Sequence, residues 1–159
     1  MALRHHTAQA PPPTPGVWSD RDRRCEILAA ARPEALHDLA EAILTEAGDA
    51  IRVVAGPRVG TLMLRLREPV RGEVFNAGEV LVSEATVALG EHRGYAMRLG
   101  RDPETALAAA VLDVALAASH PLSTRIENLL NEVAAAAAAD EAAAWEAVAP
   151  TQVAFEEML

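Results

Sequence analysis

The apolar residues of this 159-residue chain change their period twice, and those two changes dictate the order of its elements. From Pro33 to Ala47, the residues Leu36, Leu39, Ala40, Ile43 and Leu44 recur at the 3.6-residue spacing of a helix. Pro33 suits its first turn and Gly48 ends it. A shorter helix, capped by Ser19 or Asp20, precedes it and runs to about Ala31 with Cys25, Ile27 and Leu28 on its apolar side. From Ala50 the period becomes 2. Residues 51–54 read as a short strand broken by Gly56-Pro57, and residues 61–67 alternate with Leu62, Leu64 and Leu66 on a core face. Val74-Phe75 leads into Gly78, and 79–89 reads as a longer strand with Leu81, Ser83, Ala85, Val87 and Leu89 inward. A Gly90-to-Gly94 turn returns the chain antiparallel with Tyr95, Met97 and Leu99 inward. At Asp102-Pro103 the helical period resumes: the carboxylate caps free N–H groups and proline takes the first helical position. That helix, to about Ser119, is apolar nearly all round apart from Asp113, which argues for a buried position. A second helix, from about 122 to 149, carries a stripe of Leu122, Ile126, Leu129, Val133, Trp145 and Val148 and contains six consecutive alanines.

The expected architecture is therefore α+β: two N-terminal helices, a small, mainly antiparallel sheet, then two or more C-terminal helices, one of them long and alanine-rich. Residues 1–18 read as a disordered Pro-rich leader, and 19–159 as one domain with an acidic helical part at 102–159.

Charge narrows the function. The net charge of −9 lies wholly in residues 102–159, where Arg125 is the one arginine beside ten acids; residues 1–101 balance thirteen Arg against thirteen acids. Such a chain is poorly suited to nucleic acid, whose phosphates the acidic segment would repel. There is no lysine, so every fixed cation is a guanidinium, a group matched to bidentate pairing with carboxylate or phosphate. Aromatics are 3% of residues and alanine supplies much of the apolar count, so the core is thin unless helices pack closely or another chain completes it. One cysteine, Cys25, excludes an intrachain disulfide framework and a multi-Cys metal site on this chain. No apolar run approaches a membrane span, and the start lacks the apolar region of a secretory signal; the expected location is the cytoplasm.

Reactive constellations are scarce. His5, His6, His37, His92 and His120 have no paired spacing that would place two imidazoles on one face of a helix or strand. Cys25 reads as a small core residue, and Ser19, Ser83, Ser119 and Ser123 lack a nucleophile-elbow context. Gly100-Arg101-Asp102 stands at a strand-to-helix junction where exposed N–H groups suit an anion, yet Asp102 puts a carboxylate in that place. Arg52, Arg65, Arg67 and Arg98 share the off-core phase of their strands with Glu84. They form either a solvated, ion-paired face or a surface for an acidic helix or a phosphate-bearing ligand. Asp113 requires a cation if buried, with Arg101, Arg98 or a residue of another subunit as candidates.

The segment from Phe75 to Leu89 contains Gly78-Glu79 and Ser83-Glu-Ala-Thr-Val87. It is followed by Gly94-Tyr95, by Gly100-Arg101-Asp102 and by Ala110-Val-Leu-Asp113. This ordered set resembles the G subunit of the bacterial carbon-phosphorus lyase complex, the PhnG family, over all of the chain but its leader. Ser83 stands where that family usually has Thr, and the end reads Val153-Ala-Phe-Glu-Glu-Met158 in place of V-D-F-F-T-M. The resemblance implies a role in organophosphonate catabolism. There the G, H, I and L subunits together join a phosphonate to the ribose of ATP, releasing adenine and leaving ribose 1-phosphonate 5-triphosphate. It implies PhnI as the main partner, with PhnH, PhnJ, PhnK and PhnL. ATP would be a substrate of the complex, and an iron–sulfur cluster and S-adenosylmethionine would sit on a partner subunit. It implies no catalytic residue, metal or cofactor on this chain. Phe75, Gly78, Glu79, Ser83, Gly94, Tyr95, Gly100, Arg101, Asp102 and Asp113 would be structural or interface positions.

Overall fold

A computed structural model describes residue 18 and residues 20–149. Helix α1 (Arg21–Ala30) starts where the Asp20 side chain accepts from the Asp22 N–H at 3.0 Å. Helix α2 (Pro33–Ala47) begins on proline and ends at Gly48, whose φ of 53° is the left-handed conformation glycine supplies without strain. A single 3-10 turn leads into a three-stranded antiparallel sheet, order β1-β2-β3, built from β1 (Ile51–Arg67), β2 (Val74–Leu89) and β3 (His92–Leu99). Helices α3 (Pro103–Ala117) and α4 (Ser123–Val148) complete the α+β fold.

The core centres on α3. Ala106, Ala109, Ala110, Leu112, Val114 and Ala115 are completely buried, and α3 packs against β2, β3 and the other helices. On the sheet, the core face is made by Ser83, Ala85 and Val87 of β2 opposite Arg98, Ala96 and Gly94 of β3. This inverts the phase expected for β3. Tyr95 and Met97 are half-buried and Leu99 is exposed, because small Gly94 and Ala96 are what let the α3 backbone lie against the strand. Alanine-rich packing thus works by close approach, the first of the two routes open to a thin core.

The β1 expectations are corrected in two respects. Gly56-Pro57 does not divide the strand; the chain continues through register shifts between Val53 and Arg58, which absorb the irregularity as bulges. Leu62, Leu64 and Leu66 are exposed rather than core, because β3 stops pairing at Val82↔Leu99 and β1–β2 run on past the body as a two-stranded ribbon. Leu81, also expected inside, lies on that ribbon and is exposed. The long helix likewise outruns the body: Ile126, Leu130 and Ala134 are buried, whereas residues 135–148, with Trp145 and Val148, are exposed. Trp18, at the end of the expected leader, is buried and donates from Nε1 to Asn131 Oδ1 at 3.1 Å. The remainder of the expected leader and the Val153-to-Met158 tail lie outside the described residues.

Candidate functional site

The most concentrated buried polar group lies where α1, β3 and α3 meet. Asp113, fully buried on α3, receives Arg24 Nε and Nη2 on Oδ1, each at 3.0 Å. Its Oδ2 accepts the Tyr95 backbone N–H at 3.0 Å, with Arg21 Nη2 at 3.3 Å. Arg24 also donates from Nη1 to the Trp18 carbonyl at 2.6 Å. Each carboxylate oxygen thus accepts one N–H and has a guanidinium nitrogen within ion-pair distance, so both oxygens of Asp113 are engaged in organising the fold. The cation that answers Asp113 is therefore Arg24, with Arg21 beside it, and not Arg98 or Arg101. The signal for Arg24 in the sequence is its place one turn from Ile27 and Leu28, on the apolar face of α1.

The same cluster closes the outer edge of β3. Tyr95 N–H is taken by Asp113, the Cys25 thiol approaches the Tyr95 carbonyl at 3.5 Å, and Arg21 Nη2 donates to the Arg93 carbonyl at 3.3 Å. Helix α1 thereby satisfies an edge that would otherwise offer free backbone groups. Arg98, expected on the off-core face, points to the opposite side and donates to the Leu28 and Ala31 carbonyls at 2.6 and 2.8 Å, capping the end of α1. Burial lowers its pKa from the ordinary arginine value.

Ser83 ties β2 to the turn before α3. Its hydroxyl donates to the Gly100 carbonyl and accepts from the Asp102 N–H, both at 2.8 Å, while the Gly100 N–H donates to the Leu81 carbonyl at 2.8 Å. Gly100 has a φ of 95°, a conformation that requires glycine. Asp102 accepts the Thr105 N–H at 3.1 Å, and hydrogen bonds from the Thr105 side chain and backbone hold its carboxyl below the usual value. The junction that resembled an anion site is thus closed by its own cap; Arg101 beside it is exposed. Gly94 is required for a different reason: a Cβ there would overlap the Ala110 carbonyl and the Val114 backbone nitrogen of α3.

Across the other face of the sheet, Arg58 contacts Glu84 through Nε at 2.7 Å, and Tyr95 Oη donates to Glu84 Oε2 at 3.0 Å. The hydrogen bonds from Arg58 and then Tyr95 depress the Glu84 carboxyl, and burial together with Glu84 pushes Tyr95 up to about 12. Arg52, Arg65 and Arg67 are exposed. They do not converge on one ligand, since thirteen residues of extended strand between Arg52 and Arg65 span on the order of 40 Å. Phe75, Gly78 and Glu79 are exposed on the ribbon, Phe75 pairing with Leu66, Gly78 with Leu64 and Glu79 with Met63.

Reactive chemistry finds little purchase. A shallow, open depression lined by Arg21, Asp22, Cys25 and Tyr95 overlies the cluster, and burial followed by the negative charge of Asp113 raises the Cys25 thiol, the reverse of what a nucleophile needs. Among the described residues no three His, Cys, Asp or Glu side chains come together to hold a metal ion, and no buried side-chain nitrogen or oxygen lacks a partner.

Comparison with known proteins places these observations in a family. Residues 19–159 match the family model described as phosphonate metabolism protein PhnG. The chain is also 37% identical over 141 residues to the alpha-D-ribose 1-methylphosphonate 5-triphosphate synthase subunit PhnG of Rhizobium meliloti strain 1021, over 82% of this chain and 89% of that protein.

Proposed function

Since the chain belongs to the PhnG family of phosphonate metabolism proteins, we propose that it is a noncatalytic structural subunit of a ribose 1-methylphosphonate 5-triphosphate synthase complex. The observation that carries the noncatalytic part of this reading is the engagement of Asp113, the one fully buried carboxylate among the described residues, by Arg24, Arg21 and the Tyr95 N–H. Ser83, Gly94, Gly100 and Asp102 likewise serve the packing of α3 on the sheet, so these motif positions build a shape and not a reaction centre. In this reading the I subunit is the main partner, the H and L subunits share the synthase step, and the J and K subunits complete the larger assembly. ATP and the phosphonate meet on partner chains, as do the iron–sulfur cluster and S-adenosylmethionine of later chemistry; the chain itself acts in the cytoplasm.

Co-expression with the I, H and L subunits, followed by assay of adenine release from ATP and methylphosphonate, tests the proposal. The complex lacking this chain is expected to be inactive or unassembled, and the chain alone to release no adenine. Adenine release by the isolated chain, abolished in Arg101→Ala, would overturn it.

A further inference from the structure

His120 lies in the turn between α3 and α4, and its backbone and ring both serve that turn. Helix α3 ends with Ser119 at a φ of 54° and with the His120 N–H donating to the Ala115 carbonyl at 2.9 Å. Pro121 brings no N–H, so the first amide to be satisfied at the start of α4 is that of Leu122. It donates to His120 Nδ1 at 3.2 Å. The Ser123 N–H and hydroxyl then donate to the His120 carbonyl at 2.9 and 2.7 Å. One residue thus accepts from both residues that open the helix.

An imidazole in this place differs in kind from the other caps. Helices α1 and α3 start on Asp20 and Asp102, whose carboxylates stay acceptors throughout the neutral range. A ring nitrogen accepts only while it carries no proton, and histidine is the side chain that changes charge between about pH 5 and 8. Because Nδ1 accepts, the ring proton stands on Nε2, which faces Glu46 Oε2 of α2 at 4.0 Å. The His120 side chain is 8% exposed and that of Glu46 49%. Among the described residues, Glu46 is the one charged group within ion-pair distance of the ring. On α3 the last charged residue is Asp113, held by Arg24 and Arg21, and on α4 Arg125 is exposed and Glu127 half-buried.

We propose that His120 is a proton-operated latch between α2 and α4. Neutral, its ring caps α4. When Nδ1 takes a proton from water, it meets the Leu122 N–H as donor against donor; the cap opens and the ring turns to the Glu46 carboxylate. The release is local. Farther along α4, the buried Ile126, Leu130 and Ala134 and the Trp18–Asn131 hydrogen bond hold the helix on the body in both states.

The test follows hydrogen exchange at the Leu122 amide in the full-length chain from about pH 8 to about pH 5, corrected for the intrinsic exchange rate. Protection of Leu122 is expected to fall about tenfold across that range, while the Val111 and Leu112 amides of α3 keep theirs. His120→Asn offers an amide oxygen in place of Nδ1 and does not titrate, so Leu122 should stay protected at both ends. Glu46→Gln removes the charge that draws the protonated ring, and should move the transition to lower pH. A flat wild-type profile, a wild-type response in His120→Asn, a shift to higher pH in Glu46→Gln, or loss of α3 protection in step with Leu122 would each overturn the latch.

Discussion

Arg24 of α1 and Asp113 of α3 lie 89 residues apart in sequence and form a buried ion pair with Nε–Oδ1 and Nη2–Oδ1 distances of 3.0 Å. Because Oδ2 also holds the Tyr95 N–H, this one contact joins both helices to the edge of the sheet. Removing one partner leaves the other charged and buried, so Asp113→Ala and Arg24→Ala are each expected to lose about 3–5 kcal/mol of stability. In a double-mutant cycle followed by urea unfolding, replacing both by leucine is expected to cost less than the sum of the single changes.

Two glycine substitutions separate space from chain flexibility. Gly94→Ala drives a methyl into the Ala110 carbonyl and Val114 of α3, and should lower stability by roughly 1–3 kcal/mol, as overpacking does. Gly60→Ala meets no atom within 4 Å and has no positive φ, so its unfolding midpoint should equal or slightly exceed the wild-type value.

Tyr95 is the single tyrosine, which makes its ionisation directly readable by tyrosinate absorbance. The folded chain should titrate near 12, and Glu84→Gln should move the value toward the ordinary one. The folded value is raised, so the contribution to stability is fully present below the unfolded value of about 10 and is lost as pH climbs from there through 12. A wild-type tyrosine titrating at its ordinary value would contradict the Tyr95–Glu84 contact.

Asp102 acts at the other end of the scale. Its folded value is depressed by the Thr105 hydrogen bonds, so the cap stabilises α3 above the ordinary carboxylate value and that contribution fades as pH falls through the folded one. Asp102→Ala should flatten the acid limb of a stability-versus-pH curve and cost about 1 kcal/mol at neutral pH. Ser83→Ala, which deprives the Asp102 N–H of its acceptor, should cost about 1–3 kcal/mol.

Cys25 supplies a chemical check. With its pKa raised by burial and by Asp113, the thiol should react with a disulfide reagent more slowly than free cysteine at neutral pH, and speed up in Asp113→Asn.

Which parts of this were readable in the chain follows from the range of the forces involved. The bounds of α2 came directly from Pro33, the apolar stripe and Gly48, and the start of α3 from Asp102-Pro103, because caps and periods are local. That Asp113 needs a cation was legible from one acid in an apolar helix. That the cation is Arg24 was not, since nothing local pairs positions 89 residues apart.

Strand phase shows the same division. Alternation in 61–67 correctly indicates a strand, but alternation alone cannot say whether a third layer exists to bury its leucines; only the end of β3 at Leu99 decides that. In β3 the larger side chains were expected inward, and the structure instead turns Gly94 and Ala96 inward because the backbone of α3 occupies that space.

By itself, then, the sequence determined the order and type of the elements, the helix termini and the uneven charge, all set by neighbours a few residues apart. The tertiary structure decided which faces are covered, which arginine answers Asp113, and that the β1–β2 ribbon and the end of α4 stand clear of the body. Those outcomes depend on how closely an alanine-rich helix can approach a sheet, a distance fixed by both surfaces together.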